Sequence, residues 1–485
     1  MSDLDLKKKA VSGAAWVTIE KIVRQVVQFV LGVILARILA PSDYGIVGML
    51  AIFMAIANTF IDSGMGSALI QNKDNKDIDY STVFWFNLAT SAIFYVLMFA
   101  FSPLIAEFYE MPILKDVTRV VALQLVINAL FAVHNTRLAV EFRFREQSII
   151  SSLSMIITGT VGIFLAYNGF GVWSLVYQSL SGAIMTGCFT LYVTKWMPKL
   201  SFSEQSFNHL FGYGSKLLCS GLINTVYGNL YTLVIGKIFS PTQVGHYNRG
   251  NGYASLPIQT FIDVALRVGF PLLSKIQDDD EKLLFFYRKL TSLSLYLLFP
   301  FMIGLAVVAE PLIILMIGDK WLPCVRIMQV LCVGYIFWPL SSLNLNLLYV
   351  KARTDLVLKL ELIKKPIAFS ILFLSVPFGI TWMIVGKAFY EFIAFSFNCY
   401  YTKKILDYGE LEQLKELAPN FINATIMGIF VMLAMIPFDS NFVKLAIGVP
   451  TGITTYILIS IITRNSAYIE VKRILCDRVF HSENH

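Results

Sequence analysis

Five polar or charged residues share one side of the first long apolar stretch, residues 12–38. At 100° per residue they fall within an arc of roughly 140°, opposite a wholly apolar side: Glu20, Lys21, Arg24, Gln25 and Gln28. Arg24 lies about 18 Å into the stretch at 1.5 Å per residue. Such depth in a bilayer is costly for a charge unless it faces a partner or water, so the arc predicts a wet cavity. The alternative is that Glu20 pairs with Arg24 one turn away and only packs the helix against a neighbour.

Other long apolar stretches carry four further basic residues: Arg249, Lys364, Lys365 and Lys387. They predict a cavity with surplus positive charge, which suits an anionic cargo such as a phosphate head group. The polar side chains of Asn224, Tyr227 and Tyr231 could contact sugars, although tyrosines also serve in interface belts and in packing. Four acids could couple transport to a proton or Na⁺, or could form structural ion pairs: Glu20, Asp62, Asp263 and Glu391.

The composition points to a membrane protein. The 485-residue chain is 56% hydrophobic and only 15% charged, whereas soluble domains carry about 25% charged residues. The six cysteines form no CxxC pair and the five histidines are scattered, so neither metal nor cofactor is predicted. These features exclude a soluble enzyme, a secreted disulfide scaffold, a disordered chain and a nucleic-acid binder.

The apolar residues fall in blocks of roughly 20, the length of a membrane crossing. The pattern predicts an all-α integral membrane protein with about fourteen transmembrane helices. They are expected at residues 12–38, 44–68, 81–106, 115–134, 148–168, 172–194, 208–238, 243–272, 287–309, 322–349, 356–378, 380–401, 417–437 and 441–463. Basic residues concentrate in the loops of one face, and the positive-inside rule therefore predicts that both termini are cytoplasmic.

An internal repeat relates the two halves of the chain. Residues 36–45 match residues 236–245, and each segment has a basic residue, a turn that starts with proline and a glycine that opens the next helix. The repeat unit of six helices predicts two pseudo-symmetric lobes in the same orientation, as in transporters that rock one lobe against the other. The predicted parts are an N-lobe at 1–200, a C-lobe at 201–405, and two further helices with a cytoplasmic tail at 406–485.

Four segments carry a resemblance to a known family: residues 35–45, 235–247, 267–280 and 318–321. In them the chain resembles the Wzx-type polysaccharide flippases of the multidrug/oligosaccharidyl-lipid/polysaccharide exporter superfamily, in the branch that serves colanic acid and teichuronic acid. The resemblance implies a V-shaped bundle that moves an undecaprenyl-diphosphate-linked oligosaccharide from the cytoplasmic to the outer leaflet of the bacterial inner membrane, by alternating access. Surface polysaccharide biosynthesis is the implied pathway, with membrane lipids, a polymerase and glycosyltransferases as partners.

The same resemblance implies that basic residues in a central cavity bind the diphosphate, as in relatives that flip lipid-linked cell-wall precursors. Its position in the first helix makes Arg24 the candidate for that role, together with Lys21, Gln25 and Gln28 on its arc. The branch has no motif around Arg249, Lys364, Lys365 or Lys387. The assignment of these residues to the cavity therefore depends only on their charge and on their depth within the apolar stretches.

Two other functions are weighed against this one. A small-molecule cation antiporter, the other main activity of the superfamily, needs carboxylates deep in the cavity, whereas the deep charges here are mostly basic. A membrane glycan polymerase or ligase usually has a long external loop with acid–base residues, and no predicted loop is long enough. The sequence therefore predicts a transporter rather than an enzyme.

Overall fold

An apolar segment in a bilayer has no water to satisfy its backbone N–H and C=O groups, so it forms a helix that pairs them internally. The computed structural model describes residues 24–72 and 74–481, and the regular secondary structure within these ranges is helical. Helix α1 covers residues 24–38 of the described part. The helices that follow in the first half are α2 (Pro41–Asp62), α3 (Met65–Gln71), α4 (Asp77–Phe108), α5 (Ile113–Val140), α6 (Phe144–Tyr167), α7 (Val172–Thr194) and α8 (Glu204–Ile238).

The second half continues in the same manner with ten helices, of which one is short. They are α9 (Pro241–Ser274), α10 (Asp280–Val307), α11 (Ala309–Ile317), α12 (Leu322–Gly334), α13 (Phe337–Val350), α14 (Thr354–Ser375), α15 (Ile380–Leu406), α16 (Glu410–Met435), α17 (Asn441–Ile462) and α18 (Ser466–His481). Each predicted crossing corresponds to one of these helices or to two in succession. Eleven helical stretches of the described chain are long and apolar enough to cross a membrane. The fold class, an all-α multi-pass membrane protein, is confirmed, while the number of fourteen crossings stays a prediction.

Two predicted crossings contain a break. The stretch 44–68 is interrupted after α2, where Ser63 and Gly64 both adopt positive φ. The stretch 322–349 is interrupted at Tyr335 and Ile336, between α12 and α13. Just before this second break, Gly334 packs so closely on helix α15 that an added Cβ would lie 2.3 Å from the Cβ of Ala388. A neighbouring helix also packs closely at the first break, since a Cβ added to Gly64 would lie 2.8 Å from the carbonyl oxygen of Gly214. The hydropathy of a single segment does not encode such contacts.

By packing, the chain divides into two compact units, Met1–Gly245 and His246–His485. In the first unit, helices α3, α4, α5 and α8 bury a cluster that includes Met65, Leu69, Val83, Val133 and Leu210. Because such interiors are close-packed, this cluster fixes the positions of α3, α4, α5 and α8 relative to one another.

The second unit has its own apolar core and a buried amide pair. Leu273, Leu283 and Leu347 belong to one fully buried cluster between helices α9, α10 and α13. Beside it, the amides of Asn344 and Gln413 exchange two hydrogen bonds of 3.0 and 2.9 Å. Both residues are completely buried, so each amide satisfies the other where water cannot.

The packing boundary after Gly245 lies beyond the repeat boundary predicted at residue 200. Helix α8 accounts for the difference because it packs along α2 within the first unit. The hydroxyl oxygens of Thr59 and Thr225 are 3.0 Å apart, and the backbone of Gly214 lies against Ser63. The predicted division into six-helix lobes is based on the sequence repeat, and it stays a prediction.

Candidate functional site

Helix α9 and the break between α12 and α13 supply the side chains around the ammonium group of Lys387, which lies on α15. Its Nζ atom donates hydrogen bonds to the Tyr247 hydroxyl at 2.7 Å and to the side-chain amide oxygen of Asn251 at 3.1 Å. The hydroxyl of Tyr335 donates to the same Asn251 oxygen at 2.5 Å. We call these four residues the Lys387 cluster. The amide of Asn251 thus holds both the lysine and the second tyrosine.

The local sequence explains much of this geometry. Tyr247 and Asn251 are four residues apart on α9 and therefore share one face of that helix. Tyr335 lies at the break between α12 and α13. The rings of Tyr247 and Tyr335 lie 5.2 and 5.7 Å from the Lys387 ammonium, within the range of a cation–π interaction. The cluster therefore stabilises a cation by both hydrogen bonds and aromatic faces.

A second group of charges lies on helix α14. Glu361 forms ion pairs with Lys364 at 2.6 Å and with Lys365 at 3.4 Å. Lys364 is only 4% exposed, and a lysine so deeply buried requires a charged partner. The spacing of three and four residues places both lysines within reach of the same carboxylate. Sequence reasoning named the two lysines as site residues and missed Glu361, although this spacing was the available signal.

Glu391 links these two groups electrostatically. It lies one helical turn after Lys387 on α15, and the charges of Lys387, Lys364 and Lys365 all act on its carboxylate. With Glu361 included, three lysines face two carboxylates. The region therefore carries one surplus positive charge inside a helical unit, where an anion would be attracted.

Arg249, also on α9, has different neighbours. Its guanidinium lies 5.8 Å from the ring centre of Trp321, and it interacts with Tyr253. Trp321 is fully buried, so Arg249 is held against an apolar wall and keeps a half-buried side chain. The structure places Arg249 on the helix of Tyr247 and Asn251 without giving it a role in the Lys387 cluster.

The predicted arc of the first helix is described only in part. Glu20 and Lys21 lie outside the described residues. Arg24 and Gln28 are exposed on α1, and Gln25 is half-buried. Apolar side chains of the same turns, such as those of Val26, Phe29 and Val30, are exposed as well. Exposure therefore does not distinguish the polar arc from the apolar face of this helix.

The remaining predicted residues fall into two groups. Asn224 is exposed and Tyr227 is half-buried on α8, whereas Tyr231 is buried. Asp62 at the end of α2 and Asp263 on α9 are both exposed. Their roles in sugar contact or in ion coupling stay predictions. Among the described residues, no three His, Cys, Asp or Glu side chains are grouped to hold a metal ion.

An apolar groove of about 540 Å³ lies between helices α10, α16 and α17 of the second unit. Its walls include Phe301, Met427 and Ile453, and the small residues Gly304 and Gly452 keep it open. The two last predicted crossings thus contribute a continuous apolar surface. A hydrocarbon chain would fit such a surface without a desolvation cost.

The sequence of this chain matches a known protein family. The model of a family described as polysaccharide biosynthesis protein matches residues 34–326, more than half of the chain. The chain belongs to this family. The matched range extends from helix α1 into α12 and includes Tyr247, Arg249 and Asn251.

Two known proteins are similar to this chain over about three quarters of their length. The chain is 28% identical over 367 residues to the lipopolysaccharide biosynthesis protein WzxC of Escherichia coli (strain K12), covering 74% of each chain. It is 26% identical over 356 residues to the teichuronic acid biosynthesis protein TuaB of Bacillus subtilis (strain 168), covering 72% of this chain and 73% of that one. The resemblance drawn from the sequence motifs is therefore confirmed.

The fold of this chain is similar to that of a solved flippase. The lipid II flippase MurJ, in an inward closed conformation, superposes with a TM-score of 0.75 over 92% of this chain and 98% of that one. The sequence identity is 17%, so the likeness concerns the fold. It shows that this chain shares the all-α fold of that flippase.

Proposed function

We propose that this chain is a flippase that moves an undecaprenyl-diphosphate-linked oligosaccharide from the cytoplasmic to the outer leaflet of the bacterial inner membrane. It would do so by alternating access, with both termini in the cytoplasm, and it would serve surface polysaccharide biosynthesis. Family membership and the names of WzxC and TuaB support the pathway. The observation that carries the proposal is the group of three lysines and two carboxylates around Lys387 and Glu391, in a unit that contains several helices long enough to cross a membrane.

The diphosphate would be the group that these charges attract. In this conformation Lys387 donates to Tyr247 and Asn251, and Glu361 binds Lys364. A diphosphate oxygen would compete with these neutral and anionic acceptors for the lysine N–H groups, and charge-assisted hydrogen bonds to phosphate are stronger than those to a neutral hydroxyl. The proposed diphosphate-binding set remains Arg24, Lys21, Gln25, Gln28, Arg249, Lys364, Lys365 and Lys387.

The two other parts of the cargo need different surroundings. The sugars would meet the polar side chains of Asn224, Tyr227 and Tyr231, since aromatic faces and amides are suited to hydroxylated rings. The isoprenoid chain would lie in the apolar groove between α10, α16 and α17, whose walls are almost free of polar groups. This assignment gives α16 and α17, the last two predicted crossings, which stand outside the repeat, a part in holding the cargo.

The test is translocation by the purified protein in liposomes. A fluorescent undecaprenyl-diphosphate oligosaccharide is placed in one leaflet, and its arrival in the other is measured by protection from an impermeant quencher. We expect transfer by the parent, and strongly reduced transfer by Arg24→Ala and by Lys387→Met, with Lys404→Ala as a control on the exposed end of α15. A monophosphate analogue should be moved less, because it offers fewer charged oxygens.

Two results would count against the proposal. If the parent leaves the lipid in its starting leaflet while an active flippase moves it, the assigned activity is wrong. If Arg24→Ala and Lys387→Met fold and translocate as the parent does, the basic residues are not the diphosphate site.

The alternative function, export of small cations in exchange for ions, finds less support in the charges. Glu361 pairs with two lysines, and Glu391 lies among three. A carboxylate already neutralised in this way attracts a cationic drug weakly. Resistance to cationic drugs conferred by the expressed chain, with no lipid translocation, would favour the antiporter instead.

A further inference from the structure

Another cavity of the second unit lies between helices α10, α16 and α18, and its walls are charged. Its volume is about 540 Å³. The acidic residues of its walls are Glu281, Glu416 and Glu470, and the basic ones are Arg288 and Lys289. We call this cavity the α18 pocket. It is separate from the apolar groove, since no residue lines both.

Two ion pairs join the three helices at this pocket. Arg288 of α10 lies 2.8 Å from Glu416 of α16, and Lys289 of α10 lies 2.5 Å from Glu470 of α18. Each pair uses only part of its cation, because a guanidinium has five N–H donors and an ammonium has three. The two basic side chains keep 49% and 36% of their surface exposed. A phosphate oxygen could therefore accept the N–H groups that remain.

A chain of amides holds the start of α18 in place. The side-chain amide of Asn465 donates to Asn420 at 2.7 Å, and Asn420 donates to the Ser292 carbonyl oxygen at 3.4 Å. The side-chain oxygen of Asn465 accepts the backbone N–H groups of Ala467 and Tyr468, which caps helix α18. Both asparagines are buried. The first turn of α18, which carries the positive end of the helix dipole, is thus a fixed wall of the pocket.

The pocket lies where the uncharged part of α10 begins. Residues 290–307 of this helix contain no charged side chain, and at 1.5 Å per residue they measure about 27 Å. This length is close to the thickness of the hydrocarbon core of a bilayer, ~30 Å. Arg288 and Lys289 directly precede the uncharged part, so we expect them at the level of the lipid phosphates. With both termini in the cytoplasm, as proposed above, these phosphates belong to the cytoplasmic leaflet.

Along α10 the side chains follow the order of the groups in a phospholipid. Glu281 comes first, and Arg288 follows about 10 Å deeper. Ser292 is one turn further, and Leu297, which is 55% exposed, lines the apolar groove. Spacings of seven and four residues keep the first three on one face of the helix. An acid, a base, a hydroxyl and an apolar wall are suited in turn to an ammonium, a phosphate, an ester and an acyl chain.

We propose that the α18 pocket binds the head group of a zwitterionic glycerophospholipid of the phosphatidylethanolamine type, whose acyl chains border the apolar groove at Leu297. The ethanolamine ammonium donates hydrogen bonds to Glu281, and the phosphate accepts them from Arg288 and Lys289. This site goes beyond the proposed function, since it uses none of the residues assigned to the diphosphate or to the sugars.

The charges and rings of the pocket favour this head group over others. Three glutamates against two cations leave one negative charge in excess, which repels a head group whose only charge is phosphate, such as that of phosphatidylglycerol. A choline group has no N–H to donate and is usually bound by several aromatic rings. Among the lining residues that the structure describes, Phe285 is the one aromatic side chain. An ethanolamine ammonium matches a carboxylate better than either alternative.

The experiment measures binding of single lipids to the full chain by native mass spectrometry after release from detergent micelles. Dioleoyl phosphatidylethanolamine, phosphatidylglycerol and phosphatidylcholine are added one at a time. We expect the parent to bind phosphatidylethanolamine several-fold more tightly than the other two. Glu281→Gln should lower that affinity by about 2- to 5-fold, the effect of the loss of one exposed ion pair. It should not weaken binding of phosphatidylglycerol, because the excess negative charge is then gone.

Matched variants test whether the effect belongs to the pocket. Lys289→Met should weaken binding of all three lipids, because each carries the phosphate that this ammonium binds. Lys282→Met removes an exposed pair with Asp279 on the same helix but outside the pocket, and it should bind as the parent does. Asp355→Asn removes the same charge as Glu281→Gln from an exposed pair on α14. Equal affinity of these last two variants for phosphatidylethanolamine would overturn the proposal.

The parent alone already allows a decision if Lys289→Met does not fold. Binding of phosphatidylglycerol as tight as that of phosphatidylethanolamine would reject the assigned head group. Glycerophosphoethanolamine, the soluble head group without chains, should not displace the lipid at equal concentration, and full displacement by it would identify a soluble ligand and reject a lipid site. None of these measurements contains an undecaprenyl lipid, so their outcome is independent of the proposed translocation.

Discussion

Replacement of Glu361 by glutamine should lower the stability of the second unit, because it removes one charge from a buried ion pair. The carboxylate of Glu361 lies 2.6 Å from the ammonium of Lys364, whose side chain is 5% exposed. Glutamine keeps the shape and an acceptor oxygen but leaves this buried ammonium without its ion-pair partner. Removal of one partner from a buried ion pair costs about 3–5 kcal/mol. The lower value applies because the Glu361 side chain keeps 34% of its surface exposed.

The expected shift in melting temperature follows from the size of the unit. For domains of roughly 150–250 residues, each kcal/mol changes the midpoint by about 2–4 °C, with the lower figure for larger domains. A loss of about 3 kcal/mol therefore corresponds to a drop of about 6 °C. The midpoint would be measured in detergent by the fraction of protein that survives heating as a monodisperse peak in size-exclusion chromatography.

A matched control lies on the same helix. Asp355→Asn breaks the ion pair with Arg353, whose side chains are 51% and 61% exposed, and it should leave the midpoint unchanged because exposed pairs contribute little. A double variant, Glu361→Gln with Lys364→Met, should recover most of the loss, since it removes the buried charge. If Glu361→Gln has the same melting temperature as Asp355→Asn, the argument from charge burial is refuted.

Three further predictions concern other contacts. Gln413→Leu should destabilise the second unit by about 1–3 kcal/mol, because the side-chain oxygen of the fully buried Asn344 then loses the hydrogen bond from Gln413, while its NH2 group keeps only the Leu340 carbonyl; thermal unfolding should show recovery when position 344 is also leucine. Asn251→Leu removes an acceptor shared by a lysine and a tyrosine and should lower both the melting temperature and lipid translocation, whereas unchanged translocation would exclude it from the site. The hydrogen bond from Lys289 lowers the pKa of Glu470 below its ordinary value of 4.5. The pair therefore contributes stability above that pH and loses it as the pH falls through the lowered pKa. Hydrogen exchange of α18 amides, corrected for intrinsic rates, should accelerate only in that acid range, and Glu470→Gln should remove the dependence.

Much of the fold could be predicted because each crossing is encoded locally. A run of about 20 apolar residues must form a helix in a bilayer, whatever surrounds it. The predicted stretch 148–168 accordingly corresponds to α6, Phe144–Tyr167, and 441–463 to α17, Asn441–Ile462. The breaks at Gly64 and at Tyr335 were not predicted, because they depend on a neighbouring helix that approaches closely at that point.

The sequence named the charged residues of the candidate site, but it did not predict most of their contacts. The sequence predicted an intramembrane position for Lys364, Lys365 and Lys387, since charges inside apolar stretches are rare and costly. Their partners were visible only where they lie on the same helix, as Glu361 does. The partnership of Lys387 with Tyr247 joins residues 140 positions apart, and no helical period relates such positions.

The sequence was therefore enough to predict an all-helical membrane protein and to locate the basic residues within its long apolar stretches and its internal repeat, because hydropathy and helical period are properties of short segments. Two matters required the packed molecule. One is that Asn251 and Tyr247 hold Lys387 while Glu361 holds Lys364. The other is that the two copies of the repeat meet at their prolines and glycines. Each of these contacts between helices depends on which helix faces share an interface, and that choice is made by the packing of the whole unit.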